Sequence, residues 1–308
     1  MSEFLQQLIN GLSLGAIYAL IALGYTLVYG VLRFINFAHS DVFMVGAFIG
    51  YFVQAAVAPS LGESGLATTL LVLLSSMIGC GLLGVLIEYL VYRPLRDRPK
   101  LTVLITAIGV SLFLEYTGQL PMVFGADPRT YPTLIENTQY AIMEGVSIGT
   151  KDILLFVVAF GLMLALRQIV LHTRIGTAMR AVSTNMKSAQ LMGVNLQLVI
   201  SFTFFIGSAL AGAGGTLFAV SYPKINPLMG ILPGLKAFVA AVLGGIGSIP
   251  GAALGGLLIG LVETLIVGYG QNVGVEPAYA DAIVFAILIV ILIFKPTGLL
   301  GRGGTEKV

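Results

Sequence analysis

Charge is the first thing this chain is short of. Asp, Glu, Lys and Arg together make up 10% of its 308 residues, against about 25% in an ordinary soluble domain. That scarcity excludes a water-facing surface over most of the molecule, and a mean hydropathy of +0.98 points the same way. Cysteine occurs once, as Cys80 within GCGLLG, which excludes a disulfide framework and thiolate metal spacing and leaves a small buried filler. Histidine occurs twice, as His39 and His172, with no H-E-x-x-H, so a metal centre or a Ser-His dyad would have to draw on residues far apart in sequence. G-x-x-x-x-G-K-[ST] is absent, so no nucleotide-binding loop of the chain's own is expected. Gly245-Ile-Gly247-Ser248-Ile249-Pro250 begins like a dinucleotide fingerprint, but Pro250 stands for the third glycine and an apolar run precedes it in place of a short strand. No cofactor, no metal and no nucleic-acid partner is expected. The basic head of a cleavable signal is also missing, with Glu3 in its place, so the first apolar run is expected to stay in the mature protein.

What is abundant is apolar sequence. A membrane span needs about 20 mostly apolar residues, and such runs fall at roughly 8–31, 41–58, 66–91, 101–121, 153–171, 197–221, 232–247, 251–269 and 279–294. They are continuous, not alternating in short segments, which argues for helices over a β-barrel. The expectation is an all-α, polytopic membrane protein with about nine spans, a single transmembrane domain over residues 1–308, and termini on opposite sides. The basic residues orient it. With the C-terminus cytoplasmic, twelve of the sixteen Lys and Arg (Arg33, Arg93, Lys187 and Lys295 among them, with Arg302 and Lys307 in the tail) lie inside and three (Arg129, Lys151, Lys224) outside. The N-terminus is then external, and residues 125–152 form the largest outside loop, either a solvated connector or a surface for a soluble partner. Small residues four apart, as in Gly11/Gly15, Gly46/Gly50, Gly251/Gly255 and Gly256/Gly260, suit close helix packing.

One stretch does not suit lipid. Residues 174–195, RIGTAMRAVSTNMKSAQLMGVN, hold no carboxylate and several basic and amide side chains. Read as helix, Ile175, Met179, Val182, Met186 and Ala189 make a narrow apolar stripe with Arg180, Thr184 and Lys187 elsewhere on its surface. Ser183, Thr184 or Asn185 can cap a second short helix that Gly193 ends, so a bend is expected. The stripe suits a groove on a partner, with Met186 and Ala189, and Leu191 or Met192 nearby, entering it, Arg180 and Lys187 at the rim, and Met179 and Gly193 within the same coupling unit. The alternative is a helix lying on the membrane surface with its bases toward lipid headgroups.

Three stretches break the helical pattern: residues 34–41 with Asn36, His39 and Asp41; residues 222–227 with Asn226; and residues 244–251 with Gly244, Gly245, Gly247 and Ser248. Irregular backbone at membrane depth needs protein or a wet cavity around it, and half-helices starting there would aim N–H groups at an anionic or zwitterionic ligand. These residues are therefore the candidate substrate path, tight turns being the alternative reading. Ionisable groups inside spans are Glu88, Glu115, Lys236 and Glu263, and such groups pair or line a path. Glu88, near Arg93 at the cytoplasmic end of its span, is expected to reach the interface, Lys236 is expected to pair with Glu263, and Glu115 has no evident partner.

The segments NGLSLGAIYALIALGYTLVYGVLRFINFAHSDVFMVGAF, KAFVAAVLGGIGSIPGAALGGLLIGLVE and FKPTGLLG together resemble the LivH-type permease subunits of bacterial ATP-binding-cassette importers for branched-chain amino acids. The likeness runs from about Asn10 to Gly301. It departs at Ser40-Asp41, where the family commonly has Gly-Glu, and in Lys187–Gly193, which keeps the alanine and glycine of an E-A-A-x-x-x-G docking loop without its glutamate. The resemblance implies a non-enzymatic permease in the bacterial inner membrane. Its partners would be a second, LivM-type permease, two cytoplasmic ATP-binding subunits that hydrolyse the ATP, and a periplasmic binding protein delivering leucine, isoleucine or valine. Urea and short-amide permeases share much of the pattern and are the alternative substrate class. An ion-coupled secondary transporter and a channel are the alternatives that composition alone allows.

Overall fold

The structure is a computed structural model and describes residues 2–62, 64–96 and 98–301; Arg302 and Lys307, counted above, lie outside the described residues. The long helices are α1 (Ser2–Leu32), α2 (His39–Leu61), α3 (Leu66–Ile87), α4 (Lys100–Gly118) and α5 (Thr150–His172). Two short helices, α6 (Arg174–Thr184) and α7 (Met186–Leu191), lead into α8 (Leu196–Ser221), α9 (Ile231–Gly244), α10 (Ile249–Tyr269) and α11 (Ala280–Phe294). Eight helical segments among the described residues are long and apolar enough to cross a membrane, α3 counted with the turns that continue it to Leu95 and α11 with the turn that precedes it from Pro277. The seventh expected span, 232–247, becomes α9, whose 14 residues reach about 21 Å at 1.5 Å per residue, short of a hydrocarbon core of about 30 Å.

Helix α1 is the axis of the bundle. It is apolar on every side, and from Gly11 to Val28 all but one residue is buried, as a helix with no polar face must be. Glycines let its neighbours approach: a Cβ on Gly15 would stand 2.7 Å from the Leu257 Cα of α10, and Gly256 and Gly260 in turn face Ala19 and Gly15. The Gly11/Gly15 and Gly256/Gly260 pairs therefore interlock with each other. Gly46 does the same for α2 and α8, where a Cβ would lie 2.6 Å from the Gly212 Cα and 3.1 Å from the Cys80 sulfur, so Cys80 is a buried filler.

Two helices start inside the bundle. The chain turns back after α1 at Arg33, a non-glycine residue with φ of 55°, and His39 at the head of α2 meets Gly24, about two turns back from the end of α1. Residues 34–39 thus re-enter the protein. Likewise residues 222–230 descend from the end of α8, and Gly230 and Gly234 at the head of α9 pack on Ser40. Helices α2 and α9 are therefore the broken elements, meeting near their first turns.

The two ends of the bundle differ. At one, the 119–149 connection folds into a hairpin of β2 (Gln139–Met143) and β3 (Val146–Gly149). Its β1 (Arg129–Thr130) pairs antiparallel with β4 (Lys224–Ile225), which ties the connection to the descending linker. Tyr131 is buried there, its hydroxyl against Gly50 of α2; burial pushes its phenol above the usual tyrosine range. At the other end lie α6 and α7.

Candidate functional site

A cavity of about 690 Å³ lies between α1, α8, α9, α10 and the 222–230 linker. Its apolar wall includes Leu14, Phe218, Met229 and Leu232, and Ala126 and Pro128 of the 119–149 connection also line it. A second cavity of about 380 Å³, reaching Gln7, Asn10 and Asp152, shares Leu14, Tyr222 and Glu263 with it. Both therefore belong to the end of the bundle that carries the β hairpin.

The polar part of the wall is an ionic cluster. Lys236, one turn and a half into α9, places Nζ 2.8 Å from Glu263 Oε1 of α10 and 2.6 Å from Asp281 Oδ1 at the head of α11. The Tyr18 hydroxyl of α1 donates to Glu263 Oε2 at 2.9 Å, so both carboxylate oxygens of Glu263 are engaged. The Lys236 side chain is 8% exposed, Glu263 16% and Asp281 36%. A lone ammonium at this depth is costly, and burial is tolerated because two carboxylates surround it. The Lys236–Glu263 pair was legible in the sequence; Asp281 and Tyr18 were not, because no local spacing links α1 and α11 to α9.

Of the expected path residues, Asn226 lines the larger cavity, and so do Lys236 and Glu263, expected as intramembrane charges. Asn226 also shapes the linker, its Oδ1 accepting from Leu228 N at 2.9 Å. Asn36, His39 and Asp41 are buried elsewhere. Asn36 Oδ1 accepts from the Tyr92 hydroxyl at 2.6 Å, and the His39 ring packs edge-on to Tyr25 at 4.6 Å. Asp41 Oδ2 accepts from Ser111 Oγ at 2.5 Å, and its neighbour is the Glu115 carboxyl, the partner that sequence spacing does not show. Gly244, Gly245, Gly247 and Ser248 form the turn from α9 to α10 and do not line either cavity. Gly245 and Gly247 have φ of 104° and 93°, which side chains disfavour, and Ser248 Oγ caps α10 by accepting from Gly251 N at 3.2 Å. The FKPTGLLG segment closes this turn, with Leu299 N donating to Leu243 O and Leu300 N to Gly244 O. That answers the backbone carbonyls a broken helix leaves open.

Glu88 is placed differently from expectation. It is sealed inside the protein: its side chain is 0% exposed, held by Arg93 at 3.4 Å, by Arg96 and by the Ser201 hydroxyl at 2.7 Å. The cause is a π-helical turn, Glu88–Tyr92, ending α3 just before Pro94, which lacks the N–H to continue an α-helix and swings Glu88 toward α8.

The polar stretch does break in two. Thr173 Oγ1 caps α6 through Gly176 N at 3.1 Å, and Asn185 Oδ1 caps α7 through Ser188 N at 3.0 Å. Gly193, φ 84°, ends the unit. Met179, Val182 and Ala189 face inward at 2%, 1% and 5% exposure, whereas Leu191 and Met192 stand out at 88% and 85%. Arg180 hydrogen-bonds the Val170 carbonyl at the end of α5, and Arg33 of the α1 terminus donates to Ser183 O at 3.2 Å. Met186 is half-buried and Lys187 exposed.

Residues 7–292 match the family described as the branched-chain amino acid transport system permease component. The chain belongs to that family of membrane permeases. It is 43% identical over 309 residues, 99% of this chain and 98% of the relative, to the high-affinity branched-chain amino acid transport system permease protein BraD of Pseudomonas aeruginosa. It is 41% identical over 313 residues, again 99% and 98%, to the permease LivH of Escherichia coli K12. A probable branched-chain amino acid transport permease protein LivM of Methanocaldococcus jannaschii is 28% identical over 139 residues, 42% of this chain and 40% of the relative. No solved structure matches the chain. Membership in this permease family and eight helices of membrane length make the chain a multi-pass membrane protein.

Proposed function

We propose that this chain is the membrane-spanning subunit of an ATP-driven importer that carries leucine, isoleucine or valine across the bacterial inner membrane. The observation that carries the reading is near full-length likeness to permeases named for that transport. In this reading ATP hydrolysis belongs to two cytoplasmic partner subunits. A second, LivM-type permease completes the membrane part, and a periplasmic protein delivers the substrate. The 125–152 loop then faces outside, where exposed Tyr140, Ile142 and Met143 of the hairpin offer a surface for that protein.

The α6–α7 unit is the input for force. Its inner stripe, Met179 and Ala189 included, fastens it to the bundle, and its outer face, with Leu191, Met192, Lys187 and part of Met186, is the surface for an ATPase groove. Arg180 and Arg33 tie the unit to α5 and α1. Movement imposed on it therefore reaches the central helix, and alternation between two packings of the spans would expose the path to either side. A secondary carrier has no use for such an apolar knob.

Reconstitution with the two ATPases, the second permease and the binding protein tests the reading: labelled leucine should accumulate with ATP, and urea should not. Uptake of urea alone would overturn the substrate class. Leu191→Asp with Met192→Asp, or Met186→Asp, should weaken ATPase docking roughly tenfold, the loss of about 1.4 kcal/mol, and lower uptake per ATP hydrolysed. Unchanged coupling would favour a helix that rests on lipid headgroups.

A further inference from the structure

Lys236 is supplied with more negative charge than it needs. One ammonium is neutralised by one carboxylate, yet Glu263 and Asp281 both lie within 2.8 Å of Nζ, leaving the cluster with one net negative charge. The two carboxylates are not equivalent. Glu263 lines both cavities, whereas Asp281 lines neither and approaches Lys236 from α11, outside the cavity wall. Glu263 is the group a solute in the cavity meets; Asp281 is the one it does not.

We propose that Lys236 and Glu263 form a subsite for the zwitterionic backbone of an α-amino acid inside the permease, with Asp281 as the standby counter-ion that allows the exchange. On entry the solute's ammonium takes Glu263. Lys236 releases that carboxylate without being stranded, because Asp281 still neutralises it, and its freed N–H bonds the solute's carboxylate. Charge is conserved at each step: one internal ion pair is replaced by two pairs to the zwitterion. Tyr18 holds Glu263 through its second oxygen during the exchange. The solute's side chain lies on Leu14, Phe218, Met229 and Leu232, which suits an aliphatic group. A cavity of about 690 Å³ falls among ordinary small-molecule sites of about 300–1,000 Å³. A neutral solute such as urea gains nothing from opening the pair, and an anion meets net negative charge. The subsite rests on the importer reading for its choice of solute and gives the permease a selectivity of its own, beyond that of any delivering protein.

The test uses the assembled complex of both permeases and both ATPases, without binding protein, and saturation-transfer NMR with leucine. Leucine should bind saturably, and 4-methylpentanoate (no ammonium) and leucinamide (no carboxylate) should each compete at least roughly tenfold more weakly. Glu263→Gln should abolish the signal. Asp281→Asn, at a partly exposed position, should weaken it about tenfold, and Asp281→Glu should restore most of it, which a merely structural role for Asp281 does not predict. Absence of saturable binding to the wild-type complex, equal competition by the two analogues, or unchanged binding in both Glu263→Gln and Asp281→Asn overturns the subsite. Wild-type complex that binds leucine but does not accumulate it with ATP and binding protein sinks the importer reading and leaves the subsite standing.

Discussion

At the end of the bundle that carries α6 and α7, Glu88 sits between Arg93 and Arg96, one anion for two cations; in the cavity wall, Lys236 sits between Glu263 and Asp281, one cation for two anions. The arithmetic is mirrored and the surroundings are not. Glu88 is sealed, each of its oxygens occupied, and neither polar cavity reaches it. It joins the π-turn after α3 to α8 and has nothing free to offer. The Lys236 cluster joins three helices as well, but two of its members face open volume. A buried charge therefore becomes a candidate for ligand exchange only where a cavity gives the ligand somewhere to stand and a spare counter-ion keeps the remaining charge paired. Charge at depth is not enough.

The comparison can be broken most forcefully at Glu88. Glu88→Ala strands two guanidinium groups and should cost about 3–5 kcal/mol, the usual penalty for removing one partner of a buried pair. Thermal unfolding of the purified permease should show a clear drop; wild-type stability would mean that the joint is idle. Next comes Lys236→Met, which leaves two carboxylates facing each other. Adding Glu263→Gln should recover part of the lost stability, with a coupling of about 0.5–3 kcal/mol, and a double variant as poor as the sum of the singles would show that the pair contributes nothing. The finest distinction uses the two hydroxyls. Ser201→Ala removes a 2.7 Å bond to Glu88 and Tyr18→Phe a 2.9 Å bond to Glu263, each worth about 1 kcal/mol or somewhat more. Ser201→Ala should lower stability with leucine uptake intact, whereas Tyr18→Phe should alter leucine binding. Equal effects of both on uptake would erase the contrast between the clusters.

Much of this architecture could be read from local pattern. The spans, the bend at Asn185, the stop at Gly193 and the small-residue seams all follow from apolar run length, capping chemistry and four-residue spacing, which depend on neighbours in the chain. The candidate site was only half legible. Lys236 and Glu263 lie on consecutive helices joined by a short turn, so their meeting could be argued. For Gly244–Ser248 the pattern allows a path or a tight turn, and the structure shows a turn closed by FKPTGLLG whose glycines answer to backbone φ and close packing. The stripe through Met179 and Ala189 has the period of a docking face, yet period alone does not say which partner it meets, and here it meets the protein's own helices.

That the chain is a bundle of membrane-length helices interrupted by one polar unit is written in its residue pattern, because lipid demands long apolar runs and tolerates few charges. Which charges meet depends on how the helices pack. That packing brought Tyr18 within 2.9 Å of Glu263 across 245 positions, joined Asp281 to Lys236, sealed Glu88 and returned residues 34–39 into the bundle beside Gly24. Those contacts follow from how helices dock through glycine seams and half-length breaks, and helical periodicity carries no record of which helix lies next to which.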